Sequence, residues 1–570
     1  MISAIARPMF ILVSAMEILA STPSGVPVAV RCVADEIGLV RLLDEALPWD
    51  DRQCKFSPGT RLLVLIFAIL YDRTALYRVQ QFLAYQDLPL LVGRPAVPED
   101  FNDDALARAL DKLWQAGAQR VFTTVCARSM GTFGLDWPKL VAIHGDTTSI
   151  SVYGAYPEDE PGAIRIRHGY SKDKRPDLKQ FGIGLLATRE GVPCLASVHS
   201  GNLEDKKWNH GLLDRLAKEL PAELLQRLLY VTDSALVTYE NLRKLEDLGI
   251  RFLSRLPETF GVAQVLKTRA WAEGGWQDIG RLSEVLGAAS YQVWETVCEL
   301  DGRTYRALVV YSTSLDKRKE QALKRQEERE REELEQAVRR LHEQRFACQA
   351  DAEGALRRLQ EEAKAQFWAV QGQVVAEQER VKRPGPGRPR KGEEPEYQTV
   401  YRVQAELVVQ EGKREAARRL ASTFVLLTNT PEPSARDLLA EYKGQQTAVE
   451  IPFRVLKGLP VSPVFVKKPH RVEALAWVIL MAYLIYALMQ YRVRQAIAHR
   501  GKPLCSPVRK KDMRPTGRSI LDMLLMIQTV KVRLPDGTVA RYVTCPTEHI
   551  EDLLNLLRIG KEAYTTVPYT

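Results

Sequence analysis

The chain has 570 residues, 45% of them hydrophobic and 26% charged, with a formal net charge of +9. That length exceeds what one hydrophobic core organises, so roughly two to four domains are expected, and the composition excludes a disordered or low-complexity protein. The basic balance favours a polyanionic partner, while eight cysteines scattered without a CxxC pair suggest neither a zinc site nor a disulfide framework and fit a reducing intracellular setting.

In chain order, Met9–Ala20 follows Arg7 and precedes Ser21 like a weak signal peptide, but Glu17 interrupts its apolar run, and it is not read as one. Residues 25 to 137 read as helical. Ala34–Ala46, Ser57–Leu70 and Asp104–Ala116 carry apolar residues at helical spacing, Pro58 suits a first turn after Ser57, and Phe101-Asn102-Asp103-Asp104 marks a helix start. The texture changes near 139. Leu140–His144 is an apolar strand reaching Gly145-Asp146 and running on through Thr147–Tyr153. Phe181–Thr188 and Val192–Ser200 form a hairpin around Arg189-Glu190-Gly191. A helix over Asp205–Glu219 precedes the buried strand Leu228–Thr232, which ends at Asp233. The helix Thr238–Leu248 and the strand Arg251–Arg255 complete a mixed α/β pattern.

The pattern breaks from about 256 to 420. Tyr291–Leu300 and Thr304–Ser312 read as a hairpin around Asp301-Gly302. Residues 315–380 are highly charged, with Leu334, Val338 and Leu341 on one helical face and Leu356, Leu359 and Ala363 on another. So narrow a stripe predicts a projecting antiparallel helical hairpin that turns between Phe346 and Gly354. The basic Pro/Gly loop of residues 382–392 would lie at its base. Phe424–Thr428 resumes the sheet pattern, and Ser434 caps a helix running past Glu450. Val472–Tyr491 is long and apolar enough for a bilayer, but it is read as a helix at the centre of a soluble domain, with no membrane partner. A small hairpin is expected around Asp536-Gly537.

Asp146 and Asp233 thus each sit on or at the end of an apolar strand, and Glu450 sits on the helix after the next strand. An Asp at a strand end is, taken singly, more often a cap or a turn residue. Carboxylates converging from separate elements are, however, what two-metal phosphodiester chemistry needs, and magnesium is satisfied by two or three such oxygen ligands plus water. His144-Gly145-Asp146-Thr147-Thr148-Ser149 and Val231-Thr232-Asp233-Ser234-Ala235 resemble the first and second Asp motifs of insertion-sequence DDE transposases. Tyr442-Lys443-Gly444-Gln445-Gln446-Thr447-Ala448-Val449-Glu450, continuing through Phe453, Arg454 and Lys457, is similar to the third. The branch with a large insertion before the Glu carries a Tyr, Arg, Glu, Lys signature. Lys457 follows Glu450 at the branch's interval, whereas a Gln (Gln445 or Gln446) replaces the Arg and Tyr442 lies one position further from the Glu. His168–Leu178 and Gly201–Asp205 are also similar to family segments, and the likeness runs from about residue 25 to about residue 500.

The resemblance implies a ribonuclease-H-like catalytic core in two parts, 138–255 and 421–500, interrupted by an insertion over 256–420 that touches the transposon end. It also implies a helical N-terminal domain over 1–137 that binds DNA ends, and leaves 501–570 as a C-terminal region. Asp146, Asp233 and Glu450 would be the catalytic residues and the ligands of Mg2+ (or Mn2+), with Asp205 the carboxylate to which the role passes if Asp233 proves dispensable. The implied partner is double-stranded DNA, as transposon ends and target, bound by a homodimer. The implied setting is the cytoplasm of a prokaryote, at the nucleoid. Candidate DNA contacts are Tyr442, Gln446, Arg454, Lys457, Lys467, Lys468 and Arg471, the last three as phosphate contacts or a solvated helix start. Arg388 and Arg390 lie in a run whose Gly387-Arg388-Pro389 resembles an AT-hook for a narrow minor groove, although a charged linker fits the same residues. Arg509-Lys510-Lys511, with Arg514 and Arg518, is a further basic cluster. The function implied is metal-dependent DNA cleavage and strand transfer of a bacterial insertion sequence. The alternatives are a catalytically inactive, transposase-derived DNA-binding protein and a structural coiled-coil protein.

Overall fold

The computed structural model describes residues 16–71, 78–135, 137, 140–156, 159–285, 287–362, 365–382, 394–458, 466–506, 511–544 and 547–568. Most of the apolar N-terminal run and the basic loop with Arg388 and Arg390 therefore lie outside the described residues, as do Arg509 and Lys510. The chain forms two compact units. Unit 1 comprises Met1–Ser254 with Thr428–Thr570, and unit 2 comprises Arg255–Leu427.

Unit 1 starts with strand β1 (Glu17–Thr22) and continues through helices that include Gly25–Ile37, Pro58–Tyr71, Asp103–Gln115 and Ala118–Thr132. Asn102 caps the third of these, its side chain accepting from Ala105 N, the end signal expected of that residue type. The main sheet follows as β2 (Ala142–Val152), β3 (Lys179–Thr188), β4 (Pro193–Ser200), β5 (Leu229–Thr232) and β6 (Arg251–Arg255), in the spatial order β4-β3-β2-β5-β6. The hairpin strands β2, β3 and β4 are antiparallel, whereas β5 and β6 join β2 in parallel. Nine of the ten residues of β3 and all four of β5 are buried, which is why both read as unbroken apolar runs rather than alternating ones.

Unit 2 contains the helix Gly261–Glu273, β7 (Gln277–Arg281), β8 (Ser290–Leu300), β9 (Arg303–Ser312), the helices Lys317–Glu343 and Gln349–Glu362, β10 (Trp368–Arg380), β11 (Tyr397–Val409), the helix Glu411–Ala421 and most of β12 (Thr423–Thr428). The turn between β8 and β9 has only two residues, Asp301 and Gly302, with φ of 53° and 72°. Positive φ at both positions is the twist-matched hairpin turn that an Asp-Gly pair favours.

The predicted helical arm over 315–380 needs correction. Its last stretch, Trp368–Arg380, is a strand, paired antiparallel with β11 from Trp368↔Val409 to Arg380↔Tyr397. The reason lies in what covers the narrow apolar stripe. Leu334, Val338 and Leu341 of the first helix and Ala352 and Leu356 of the second share one small core with Val370 of β10 and Val403 of β11. The helices therefore bury their stripe against a β-hairpin as well as against each other. The carboxylate of Glu330 anchors the entry to β10, accepting from the backbone N–H groups of Gln366, Phe367 and Trp368 at 2.8–3.1 Å. The helix break falls at Gln344–Cys348, where Phe346 pairs with Tyr401 of β11, and Gly354 lies inside the second helix. The basic run, expected at the base of a helical hairpin, lies outside the described residues apart from Lys382.

Back in unit 1, the Thr428 hydroxyl donates to Phe252 O of β6 at 2.6 Å, and Phe252 N donates to Asn429 Oδ1 at 2.9 Å. Ser434 caps the helix Ala435–Gln445, accepting from Asp437 N. The helix Pro469–Arg500 has 32 residues and is the one described helix long and apolar enough to cross a membrane, and 89% of its apolar window is buried inside the protein. It packs on helices Pro58–Tyr71, Asp103–Gln115 and Ala118–Thr132 and on β4, with Trp477 against Phe122. A helix apolar on every face is explained by neighbours on every face. The last strands, β13 (Gln528–Arg533) and β14 (Val539–Thr544), form the hairpin at Asp536-Gly537 and take β1 as their third strand.

The shared core of the arm makes a prediction. Leu356→Ala removes a buried side chain whose loss costs about 2–4 kcal/mol. Hydrogen exchange in the full-length protein should then speed up across Trp368–Arg380 and Tyr397–Val409 while β2 keeps its protection. Unchanged exchange in those two strands would mean that helices and hairpin are stabilised separately.

Candidate active site

The site is built by the parallel pairing of β2 with β5, in the register Ala142↔Leu229 to Gly145↔Thr232. That register sets Asp146 and Asp233, each the next residue along, on neighbouring strands at the same level. Gly145 is a glycine for a packing reason, since a Cβ there would stand 2.6 Å from the ring of Tyr230. The Tyr230 hydroxyl in turn donates to Asn209 Oδ1 at 2.7 Å, which holds the helix Asp205–Glu219 against β5.

Asp146 Oδ1 accepts from Thr147 N at 2.7 Å. Asp233 caps the short turn Ser234–Leu236 through Ala235 N, and its backbone carbonyl accepts from the Ser254 hydroxyl at 2.6 Å. Burial pushes the Asp146 carboxyl up to about 7; Lys172 opposes the rise, and the charges of Asp233 and Asp205 add to it. Asp233 is raised as well, again chiefly by burial, with Lys172 opposing. Among the described residues, two partly buried like charges thus stand together with one ammonium group to balance them.

That ammonium group is tightly held. Lys172 Nζ donates to Thr147 O at 2.7 Å and to Thr147 Oγ1 at 2.8 Å, lies 3.1 Å from Asp205 Oδ2 and reaches Asp146 Oδ1 at 3.6 Å. The Thr147 hydroxyl donates to Asp205 Oδ1 at 2.5 Å. Beside this knot opens a cavity of about 320 Å³ lined by residues that include Tyr170, Gln180, His199 and Asn202.

Glu450 arrives differently. It ends a π-helical turn, Gln446–Glu450, between the helices Ala435–Gln445 and Ile451–Gly458. π turns inside α-helices recur at functional sites, and this one packs over β2 and β3. The preceding helix is fastened next to Asp146: His144 Nε2 and Glu441 Oε1 are 2.9 Å apart, Arg189 adds an ion pair to Glu441 at 3.4 Å, and Gln445 Nε2 donates to Gly145 O at 3.3 Å. The Glu450 side chain itself is exposed. Among the described residues, no group of three His, Cys, Asp or Glu side chains stands close enough to hold a metal ion. The structure therefore brings Asp146 and Asp233 together, adds Asp205 and Lys172, and leaves Glu450 as a surface carboxylate on a helix anchored to β2.

Residues 145–485, more than half of the chain, match the family described as Transposase DDE domain. The chain belongs to the DDE transposase family. Residues 28–127, within the helical N-terminal part, match a domain of unknown function, DUF4277. No curated protein matches the chain. The large mixed sheet fits the ribonuclease-H-like core of a DDE transposase, a family whose members are DNA-binding transposition enzymes that generally use divalent metals. The residues present suit such an ion: the donors are hard carboxylate oxygens, and their negative charge is balanced only in part, by Lys172.

The other candidate residues of this transposase separate by environment. Gln446, Arg454, Lys467 and Lys468 are exposed, and Tyr442 is half-buried. Gln445, the other candidate for the signature position, is buried with its amide on β2. Lys457 is ion-paired with Asp173. Arg471, expected as a phosphate contact, grips Asp111 through two hydrogen bonds at 2.6 and 2.7 Å, and His470 beside it bridges Asp111 and Glu160 at 2.8 and 2.6 Å. Arg388 and Arg390 lie outside the described residues. Lys172 carried no role in the sequence reading. Its signal, the His168–Leu178 segment, was family-like but had no periodicity to say which side chain turned toward Asp146.

Two predictions follow from these contacts. Arg471→Ala breaks a bidentate charged pair between helices and should cost about 1–3 kcal/mol of stability. Hydrogen bonding from Arg471 holds the Asp111 carboxyl below its ordinary range. The pair's contribution is therefore fully present above the unfolded carboxylate value of about 3.9 and disappears as pH falls through the lowered one. Melting curves of parent and variant should stay apart from neutral pH down to about 4 and converge below. Gly145→Ala should destabilise by about 1–3 kcal/mol through overpacking, and Tyr230→Leu in the same chain should recover part of that loss. If the double variant is no better than the sum of the two changes, the ring contact is not what demands glycine.

Proposed function

We propose that this DDE transposase cleaves DNA at the ends of a bacterial insertion sequence and joins the freed ends to target DNA, with Asp146, Asp233 and Glu450 as ligands of two divalent ions, Mg2+ or Mn2+. The observation that carries the reading is the parallel β2–β5 register, which sets two partly buried carboxyl groups, only partly balanced by Lys172, side by side. Bound there, the ions would supply Lewis acidity and a nucleophilic water at neutral pH. The chain's own residues do the rest. Asp146 and Asp233 are held by backbone N–H groups in fixed positions, and Glu450 rides on a helix pinned to β2 by Glu441 and Gln445. Exposed Arg454, Lys467 and Lys468, with Gln446, Tyr442 and Lys457 nearby in sequence, receive the phosphate backbone, since positioning and charge neutralisation account for most of the catalysis of phosphoryl transfer. In this reading the N-terminal residues 1–137 bind the element's ends, the segment within 256–420 is an insertion that touches them, Arg388 and Arg390 add minor-groove contacts, and a homodimer assembles on the DNA in the prokaryotic cytoplasm, at the nucleoid.

A second reading has one observation in its favour. Since no three-ligand group stands ready among the described residues, the chain would instead be a transposase-derived protein that binds DNA without cutting it. One assay decides between them. Labelled duplex carrying the element's end is incubated with the protein and Mg2+ or Mn2+. The first reading expects cleavage that chelation stops. It further expects Asp146→Asn, Asp233→Asn and Glu450→Gln each to lower cleavage by roughly 1,000-fold or more, the scale of lost electrostatic stabilisation at a reacting centre, with duplex binding within about threefold of the parent. Binding without cleavage by the unsubstituted protein would favour the second reading, and cleavage that survives Asp233→Asn would hand that role to Asp205.

A further inference from the structure

Among the described residues, Lys172 is the one cation that touches the carboxylate cluster, and its ammonium group is held by several partners at once. Its ammonium group has four neighbours in one place: the Thr147 carbonyl, the Thr147 hydroxyl, Asp205 and Asp146. The same threonine hydroxyl is bonded to Asp205, and the Lys172 backbone N–H is fixed to the Ser149 hydroxyl at 3.0 Å. Three residues of β2 and the first residue of the helix Asp205–Glu219 therefore keep this charge beside Asp146. A positive charge so placed does two things. It offsets the repulsion of two partly buried carboxylates, and it repels any second cation that approaches the same oxygens.

From this geometry we infer that Lys172 is a positioning residue that occupies the cation's place beside Asp146 until DNA arrives, keeping metal affinity low in the DNA-free protein, and that Asp205 is the anchor through which it is held. The inference rests on the reading of Asp146 and Asp233 as metal ligands. A DNA phosphate entering the site gives the ammonium group a new partner, so ion loading becomes coupled to substrate binding. The sign of the effect separates this from a merely structural role: a lysine that only braced the site would weaken metal binding when removed, whereas a competing charge strengthens it.

The test is Mn2+ binding to the full-length protein without DNA, followed by water-proton relaxation. Lys172→Met should tighten Mn2+ binding by about tenfold, since removing one nearby like charge is worth at least that much even at a high effective dielectric. Lys172→Arg, which keeps the charge, should bind as the parent does. Asp205→Asn takes a negative charge from the cluster and should weaken Mn2+ binding in the Lys172→Met background; in the parent, where it also releases Lys172 from its anchor, the loss should be smaller. With a duplex bound, the advantage of Lys172→Met should disappear. Unchanged or weaker binding in Lys172→Met, while Asp146→Asn abolishes binding, overturns the inference and leaves the metal-ligand reading intact. Binding indifferent to both Asp146→Asn and Asp233→Asn overturns that reading and the inference with it.

Discussion

The rest of this protein is arranged around keeping two like charges next to each other below a surface. Asp146 and Asp233 would separate or take up protons if the chain allowed it, and burial already drives both carboxyls upward. What denies them the freedom to separate is a pair of parallel strands in fixed register, braced by a tyrosine ring that only a glycine can face. Parallel strands need a crossover, and here the crossover contains the hairpin β3–β4 and the helix that begins at Asp205. The element that makes the pairing possible thus also brings the third acidic side chain, and with Lys172 the compensating cation, to the same spot. Architecture and electrostatics are one problem at this site, as is common where carboxylates are gathered for chemistry.

That Asp146 and Asp233 stand side by side was legible in the sequence because each directly follows a short strand-forming run, a local pattern that survives translation into three dimensions. The strands β2, β3, β5 and β6, the cap at Asn102, the turn at Asp301-Gly302 and the buried helix around Trp477 were legible for the same reason. Lys172 was not, because it lies in an irregular segment where no period says which way a side chain points. Arg471 was misleading in the opposite sense. A basic cluster beside a helix start reads as a phosphate contact, and only the fold reveals that Asp111, more than three hundred residues away in sequence, already holds it.

The misread arm teaches a related lesson about charge. Between 315 and 380 the density of Lys, Arg and Glu favours helix strongly enough to mask the strand Trp368–Arg380. Yet that segment opens on Trp-Ala-Val and carries Val374-Val375, residue types that fit a pleated surface, and its partner Tyr397–Val409 is richer still in β-branched and aromatic residues. A helical stripe as thin as Leu334, Val338 and Leu341 cannot close a core by itself. The hairpin supplies the missing layer, in keeping with the rule that stable units pair two layers around shared apolar contacts.

The π turn at Gln446–Glu450 carries a consequence for how the family signature should be counted. A π turn closes its hydrogen bond over one residue more than an α turn, so it is the form in which a helix takes up a single extra residue while both flanks stay helical. Tyr442 lies one position further from Glu450 than the signature prescribes, and the surplus residue has a physical home between them. A motif search that demands a fixed interval passes over such chains, whereas one that tolerates a single inserted residue at this turn recovers them.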